Sequence, residues 1–144
     1  MITNTGTKIN EETIKVIESF IQAKLPDEYR DFLLKYNGGI PDKIIFNISA
    51  LAFFHKVNSS DYYSDFVVAY HTYIVRIPKG FIVVASDVGG NNILLGLEGK
   101  DRGKIYFWDH EEEVDEDEEA DFRNMTLISN SFNQFVDSLK EEID

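Results

Sequence analysis

Asp109, His110 and Glu111 are consecutive and lead into Glu112 and Glu113, so this stretch holds the side chains best suited to acid–base or metal chemistry. A carboxylate beside an imidazole can pass a proton, and a histidine among carboxylates can ligate a divalent cation. The spacing supports neither. The other two histidines, His55 and His71, are far away in sequence, and the chain has neither a His-Glu-x-x-His pattern nor the Asp-x-Asp-x-Asp-Gly spacing of a calcium loop. Gly89-Gly90-Asn91 could suggest a phosphate cradle, but no glycine fingerprint opening a helix and no suitably placed lysine accompany it, so a hairpin turn is the better reading. Ser86 and Ser129 lack the glycine-flanked setting of a nucleophile, and the chain has no cysteine to serve as a thiolate or zinc ligand. The residues therefore predict no catalytic site, no cofactor and no metal.

Charge says more. The chain carries 26 acidic and 14 basic residues, a formal net of -12. Nine of the acids, Glu111, Glu112, Glu113, Asp115, Glu116, Asp117, Glu118, Glu119 and Asp121, fall in one run with no base among them. Without them the net charge would be about -3. Nine carboxylates cannot be desolvated together, so an acidic loop over about 111–121 is expected. Direct nucleic-acid binding is disfavoured, because the phosphate contribution to affinity would be repulsive. A basic partner would be attracted and steered, and the partner-binding candidates are Glu111, Glu112, Glu113, Asp115, Glu116, Asp117, Glu118 and Glu119. The same run could instead serve only solubility.

Helices and strands must position these groups. With 144 residues and 43% hydrophobic content, the chain fits a single domain over 1–144, since domains of this size bury roughly two-thirds of their unfolded surface. Asn10 can cap a helix from Glu11 to about Lys24, with Ile14, Ile17 and Ile21 as its stripe and Val16 and Phe20 widening it. The segment Leu25 to Gly39 reads as a complete helix. Pro26 suits the first helical position, and Asp27 and Glu28 oppose the dipole. Tyr29, Phe32, Leu33 and Tyr36 make one apolar face, and Asn37, Gly38 and Gly39 supply the stop.

Lys43 to Ile48 is expected as a strand, and Asp65 to Ile77, whose pattern fits either type, is assigned helix. Phe81 to Ala85, Asn92 to Leu97 and Lys104 to Trp108 should pair as a meander, with Met125 to Ile128 as a further strand. Ser131 followed by Gln134 resembles a capping box for a last helix that buries Phe132, Phe135, Val136 and Leu139. The amino terminus lacks the basic and apolar regions of a signal peptide, and no apolar run approaches a membrane span, so a cytoplasmic protein is expected.

Taken in order, these pieces resemble the SUKH superfamily, the group of bacterial immunity proteins and fungal Smi/Knr cell-wall assembly regulators. The resemblance rests on Leu25-Pro26-x-x-Tyr29-x-x-Phe32-Leu33, Asn37-Gly38-Gly39, Ile77-Pro78-x-Gly80, Gly89-Gly90-Asn91, Tyr106-x-Trp108-Asp109-His110-Glu111 and Ser131-Phe132-x-x-Phe135. It implies an α+β domain with a central, mostly antiparallel sheet flanked by helices, and a role in binding proteins, without enzymatic activity. Leu25, Pro26, Tyr29, Phe32, Leu33, Gly38, Gly39, Gly89, Gly90, Asn91, Trp108 and Asp109 would be structural marks of that fold. Bacterial members of this kind neutralise a toxin domain, often one that acts on nucleic acid, so the implied partner is a basic cognate toxin of a polymorphic toxin system. The alternative is a regulatory protein-interaction module of the same fold.

Overall fold

The computed structural model of the chain describes residues 1–141, so the last three positions of the expected 1–144 domain lie outside the described residues. Asn10 starts helix α1 (Glu11–Ile21) by accepting the Thr13 N–H on its side-chain oxygen at 3.1 Å. Ile14, Ile17 and Ile21 are buried as the periodicity requires. Val16 and Phe20 do not widen that face. Val16 is turned to solvent, and Phe20, at the margin of the stripe, covers Tyr70 and His71 with ring separations of 5.1 and 5.4 Å. The helix stops short of Lys24 because Gln22 turns left-handed, at φ 57°, and the Glu18 carboxylate accepts the Leu25 N–H at 2.8 Å.

Helix α2 (Asp27–Lys35) carries one correction. Pro26 sits just before the helix with extended ψ, not at its first turn, and its carbonyl accepts the Arg30 N–H at 3.0 Å. Tyr29, Phe32 and Leu33 are buried, while Tyr36 is half-buried at the end of the stripe. Asn37, Gly38 and Gly39 all have positive φ, and at Gly38 a Cβ would lie 2.4 Å from the His55 carbonyl oxygen. Asn37 does more than end the helix. Its buried amide donates to the carbonyls of Thr7 and Val57 and accepts the Val57 N–H, each at 2.8 Å, so it ties three separate segments together.

Two short strands, β1 (Ile2–Thr3) and β2 (Ile40–Pro41), pair antiparallel. The main sheet is β3 (Leu51–Phe54), β4 (Phe81–Asp87), β5 (Asn92–Gly96), β6 (Ile105–Trp108) and β7 (Met125–Ser129), antiparallel throughout and in chain order. The expected meander is present, with β3 added at one side and β7 at the other. Lys43 to Ile48 is not a strand. Phe46 N–H bonds to the Ser49 carbonyl and folds the segment into a turn, leaving Ile45 to make isolated bridges to Ala50 and Lys140. Asp65 caps α3 (Phe66–Tyr73) through the Val68 N–H, which assigns the ambiguous segment to helix.

Ser131 opens α4 (Phe132–Ser138) by accepting the Gln134 N–H at 3.1 Å. Only half of the capping box forms, because the Gln134 carbonyl turns to the Asn130 N–H and the Ser129 hydroxyl instead. The main core joins α1, α2 and α4 to one set of sheet residues, with Phe32 packed 4.9 Å from both Phe54 and Phe132. A second cluster of Ala69, Ile77, Phe81, Val83, Leu94 and Trp108 links the α3 region to β4, β5 and β6. The architecture is α+β, an antiparallel sheet with flanking helices. Among the described residues no helix is long and apolar enough to cross a membrane.

Candidate functional site

The acidic run grows out of a rigid root. Trp108, fully buried at the end of β6, meets the Tyr73 ring at 5.7 Å, and the Arg76 guanidinium lies 4.7 Å from the Tyr73 ring centre and 5.7 Å from that of Trp108. Arg76 then reaches Glu113 with two bonds, Nη2 to Oε1 at 2.6 Å and Nε to Oε2 at 3.2 Å. The Glu113 carboxylate holds the guanidinium pKa above its ordinary value against the opposing effect of partial burial.

Next to this stack the backbone is pinned on two sides. The Asp109 N–H donates to the Asn124 carbonyl, and the Asn124 side-chain amide returns a bond to the Asp109 carbonyl, both at 2.9 Å. The Asp109 carboxylate accepts the Glu111 N–H at 3.0 Å and caps a single 3-10 turn over His110–Glu112. His110 N–H donates to the Asn91 side chain at 3.0 Å, and its Nε2 lies 3.0 Å from the Gly89 carbonyl oxygen. Asp87 in turn accepts the N–H groups of Gly89 and Asn91 and the Asn91 amide. Gly89-Gly90-Asn91 is thus the β4–β5 hairpin turn, with φ 84° at Gly90, and it braces the acidic root.

Beyond the root the carboxylates divide into two groups. Glu113 is taken up by Arg76, while Glu118 and Asp121 share Arg123, whose side chain forks onto both Asp121 oxygens at 3.0 and 3.2 Å and approaches Glu118 at 3.3 Å. Arg123 holds the Asp121 carboxyl below the usual carboxylate range. Glu111, Glu112, Asp115, Glu116, Asp117 and Glu119 are exposed and engage no cation among the described residues. The result is a patch of six solvated negative charges on a fixed base. Such a patch sets up a local field and needs no desolvation to exist.

The motif residues separate into two places. Leu25, Pro26, Tyr29, Phe32, Leu33, Gly38 and Gly39 lie along or at the ends of α2, buried within or against the main core. Gly89, Gly90, Asn91, Trp108 and Asp109 converge on the acidic root. The histidines do not gather, and among the described residues no group of three His, Cys, Asp or Glu could hold a metal ion.

Structure does bring Ser86 to a histidine, which sequence spacing could not show. The Ser86 hydroxyl lies 3.3 Å from His55 Nε2. Burial pushes the His55 pKa down to about 4, against the opposing influence of the Ser64 backbone and the Asp65 carboxylate, so the ring is neutral near pH 7. Among the described residues its Nδ1 meets no side-chain partner, so no carboxylate orients the ring as in a nucleophile–base–acid arrangement. Ser129 bonds to Ser131 and Gln134 and secures the start of α4. The residues missed from sequence are Arg76, Asp87 and Asn124. Each acts across a gap in the chain or through backbone groups that composition does not reveal.

Two comparisons with known proteins bear on this arrangement. The model of the SMI1 / KNR4 family (SUKH-1) matches residues 8–138. The chain is also 32% identical, over 154 aligned positions, to the SPbeta prophage-derived uncharacterized protein YokK of Bacillus subtilis (strain 168), an alignment covering 91% of this chain and 74% of that protein.

Proposed function

Because this chain belongs to the SMI1/KNR4 family (SUKH-1), we propose that it is an immunity protein, one that binds a cognate toxin domain in the cytoplasm and blocks it. The observation that carries the reading is the division within the acidic run, where three carboxylates are used to fix the segment and six are left facing solvent. A toxin that acts on nucleic acid must present a cationic surface to phosphate, and six unpaired carboxylates on a braced loop match such a surface in sign. Rigidity helps. A loop already held at Asp109, Glu113 and Asp121 loses less freedom on binding than a free chain would. The derivation of a relative from a prophage fits a role in conflict between cells.

Mechanistically the chain acts by occupation. Glu111, Glu112, Asp115, Glu116, Asp117 and Glu119 steer the basic domain in and cover the surface on which its substrate would lie, and no bond is made or broken. Glu113 and Glu118 contribute from within the paired framework.

The test is co-expression of this chain with candidate carboxy-terminal toxin domains, taken first from any encoded beside its gene. Restored growth and a purified one-to-one complex are expected. A toxin domain that still kills, with no complex formed, would sink the proposal.

A further inference from the structure

We propose that the outer edge of β7 accepts an extended strand from the basic toxin domain, adding a strand to the sheet beside the acidic patch. This rests on the reading of the chain as a toxin-binding protein. β7 is the last strand in the order β3-β4-β5-β6-β7, so among the described residues one of its sides has no strand neighbour. Met125 donates its N–H to the Phe122 carbonyl at 3.1 Å, outside the ladder with β6. Peptide groups alternate along a strand, and the pairing is regular from Met125 to Leu127, so the Leu127 N–H and carbonyl also point away from β6. No group outside β6 bonds to the Leu127 backbone among the described residues.

An edge of this kind is usually blunted by proline, charge or a covering element. The sequence of β7, Met-Thr-Leu-Ile-Ser, contains neither proline nor charge, and Leu127 is 45% exposed. The opposite edge differs, because β3 is bridged at Phe54 by Gly39. Alongside β7 runs a shallow groove of about 350 Å³ lined by Leu127, Ile128, Ser129, Asn130, Gln134 and Ser138, which gives the side chains of an added strand a place to lie.

Charge selects the occupant. The acidic segment runs through Phe122, Arg123 and Asn124 directly into β7, so the run is joined to the amino-terminal end of the open edge. A strand flanked by lysine or arginine is drawn to that end. A second copy of this chain, with its net charge of -12, is repelled.

The test uses the toxin domain that the co-expression experiment pairs with this chain. Hydrogen exchange is measured on the free chain and on the complex, and Leu127→Pro is compared with wild type. Proline is tolerated on an edge strand where its N–H faced solvent, so the variant should keep the native circular dichroism spectrum yet bind about tenfold or more weakly. Leu127 exchange should slow in the wild-type complex, a readout that stands even if the variant does not fold. A wild-type complex with unchanged exchange at Leu127 overturns the strand-addition proposal and leaves the toxin-binding reading standing. Failure of any complex to form overturns both. Protection that rises with concentration in the free chain identifies a second copy as the occupant and also overturns it.

Discussion

Arg76 and Glu113, 37 residues apart in sequence, form a two-pronged ion pair on top of the Tyr73 and Trp108 rings. One side of the arginine is aromatic and the other is carboxylate. This joins the second hydrophobic cluster to the start of the acidic run and makes the orientation of the run a property of the folded core.

Arg76→Ala should therefore act on two levels. Lost ring contact and lost pairing should together cost about 1–2 kcal/mol in chemical denaturation, a range kept low because the pair is partly solvent-screened. Amide exchange over residues 110–114 should accelerate by more than that global loss accounts for. Unchanged exchange there would show that the Asn91 and Asn124 contacts hold the root unaided.

Replacing Glu111, Glu112, Asp115, Glu116, Asp117 and Glu119 by their amides should leave the melting temperature unchanged or slightly raised, since like charges are removed and no ion pair is broken. On the proposed function, association with the toxin domain should slow by about tenfold or more at low salt, with little change in dissociation. Stopped-flow binding at two salt concentrations checks this. A variant that associates as fast as wild type at both concentrations would assign the six carboxylates to solubility alone.

Tyr29 is buried in the first turn of α2, and its hydroxyl has no hydrogen-bond partner among the described residues. Burial drives its pKa upward, so the phenol stays neutral. Tyr29→Phe removes an unsatisfied polar atom and keeps the ring contact with Phe132 at 5.2 Å. Stability should rise by about 1 kcal/mol, seen as a higher melting temperature.

His55 gives a pH dependence of definite sign. Its folded pKa of about 4 lies below the ordinary value of 6.5, so the unfolded chain binds the extra proton between those limits. Its contribution is fully present above pH 6.5 and is lost as pH falls toward 4, by an order of 3 kcal/mol. Denaturation at pH 7 and at pH 4.5 should show a steeper loss for wild type than for His55→Asn. Parallel losses would assign the acid sensitivity elsewhere.

Sequence made some of this legible and hid the rest for physical reasons. Local signals held where one helix turn or one hairpin carries the information, as with Asn10 and Ser131 as caps and Ile14, Ile17 and Ile21 as a stripe. Lys43 to Ile48 misled because strand propensity there is overridden by the Phe46–Ser49 turn and by pairing with Lys140, far along the chain. Asn37 was readable as a helix stop, but its three buried bonds depend on Thr7 and Val57 arriving from elsewhere. The acidic run itself was visible in composition. Its division into paired and unpaired members was not, since Arg76 lies remote in sequence and reaches Glu113 only after α3 has packed.

The separation of framework from display has an evolutionary consequence. Asp109, Glu113 and Asp121 cannot change freely, because each fixes backbone or pairs with an arginine. The six carboxylates between and beside them form no ion pair among the described residues. On the proposed immunity role, a toxin that altered its cationic face could be followed by substitutions at those six positions one at a time, with little cost to the fold. The loop is thus a site where recognition can drift while the architecture stays fixed.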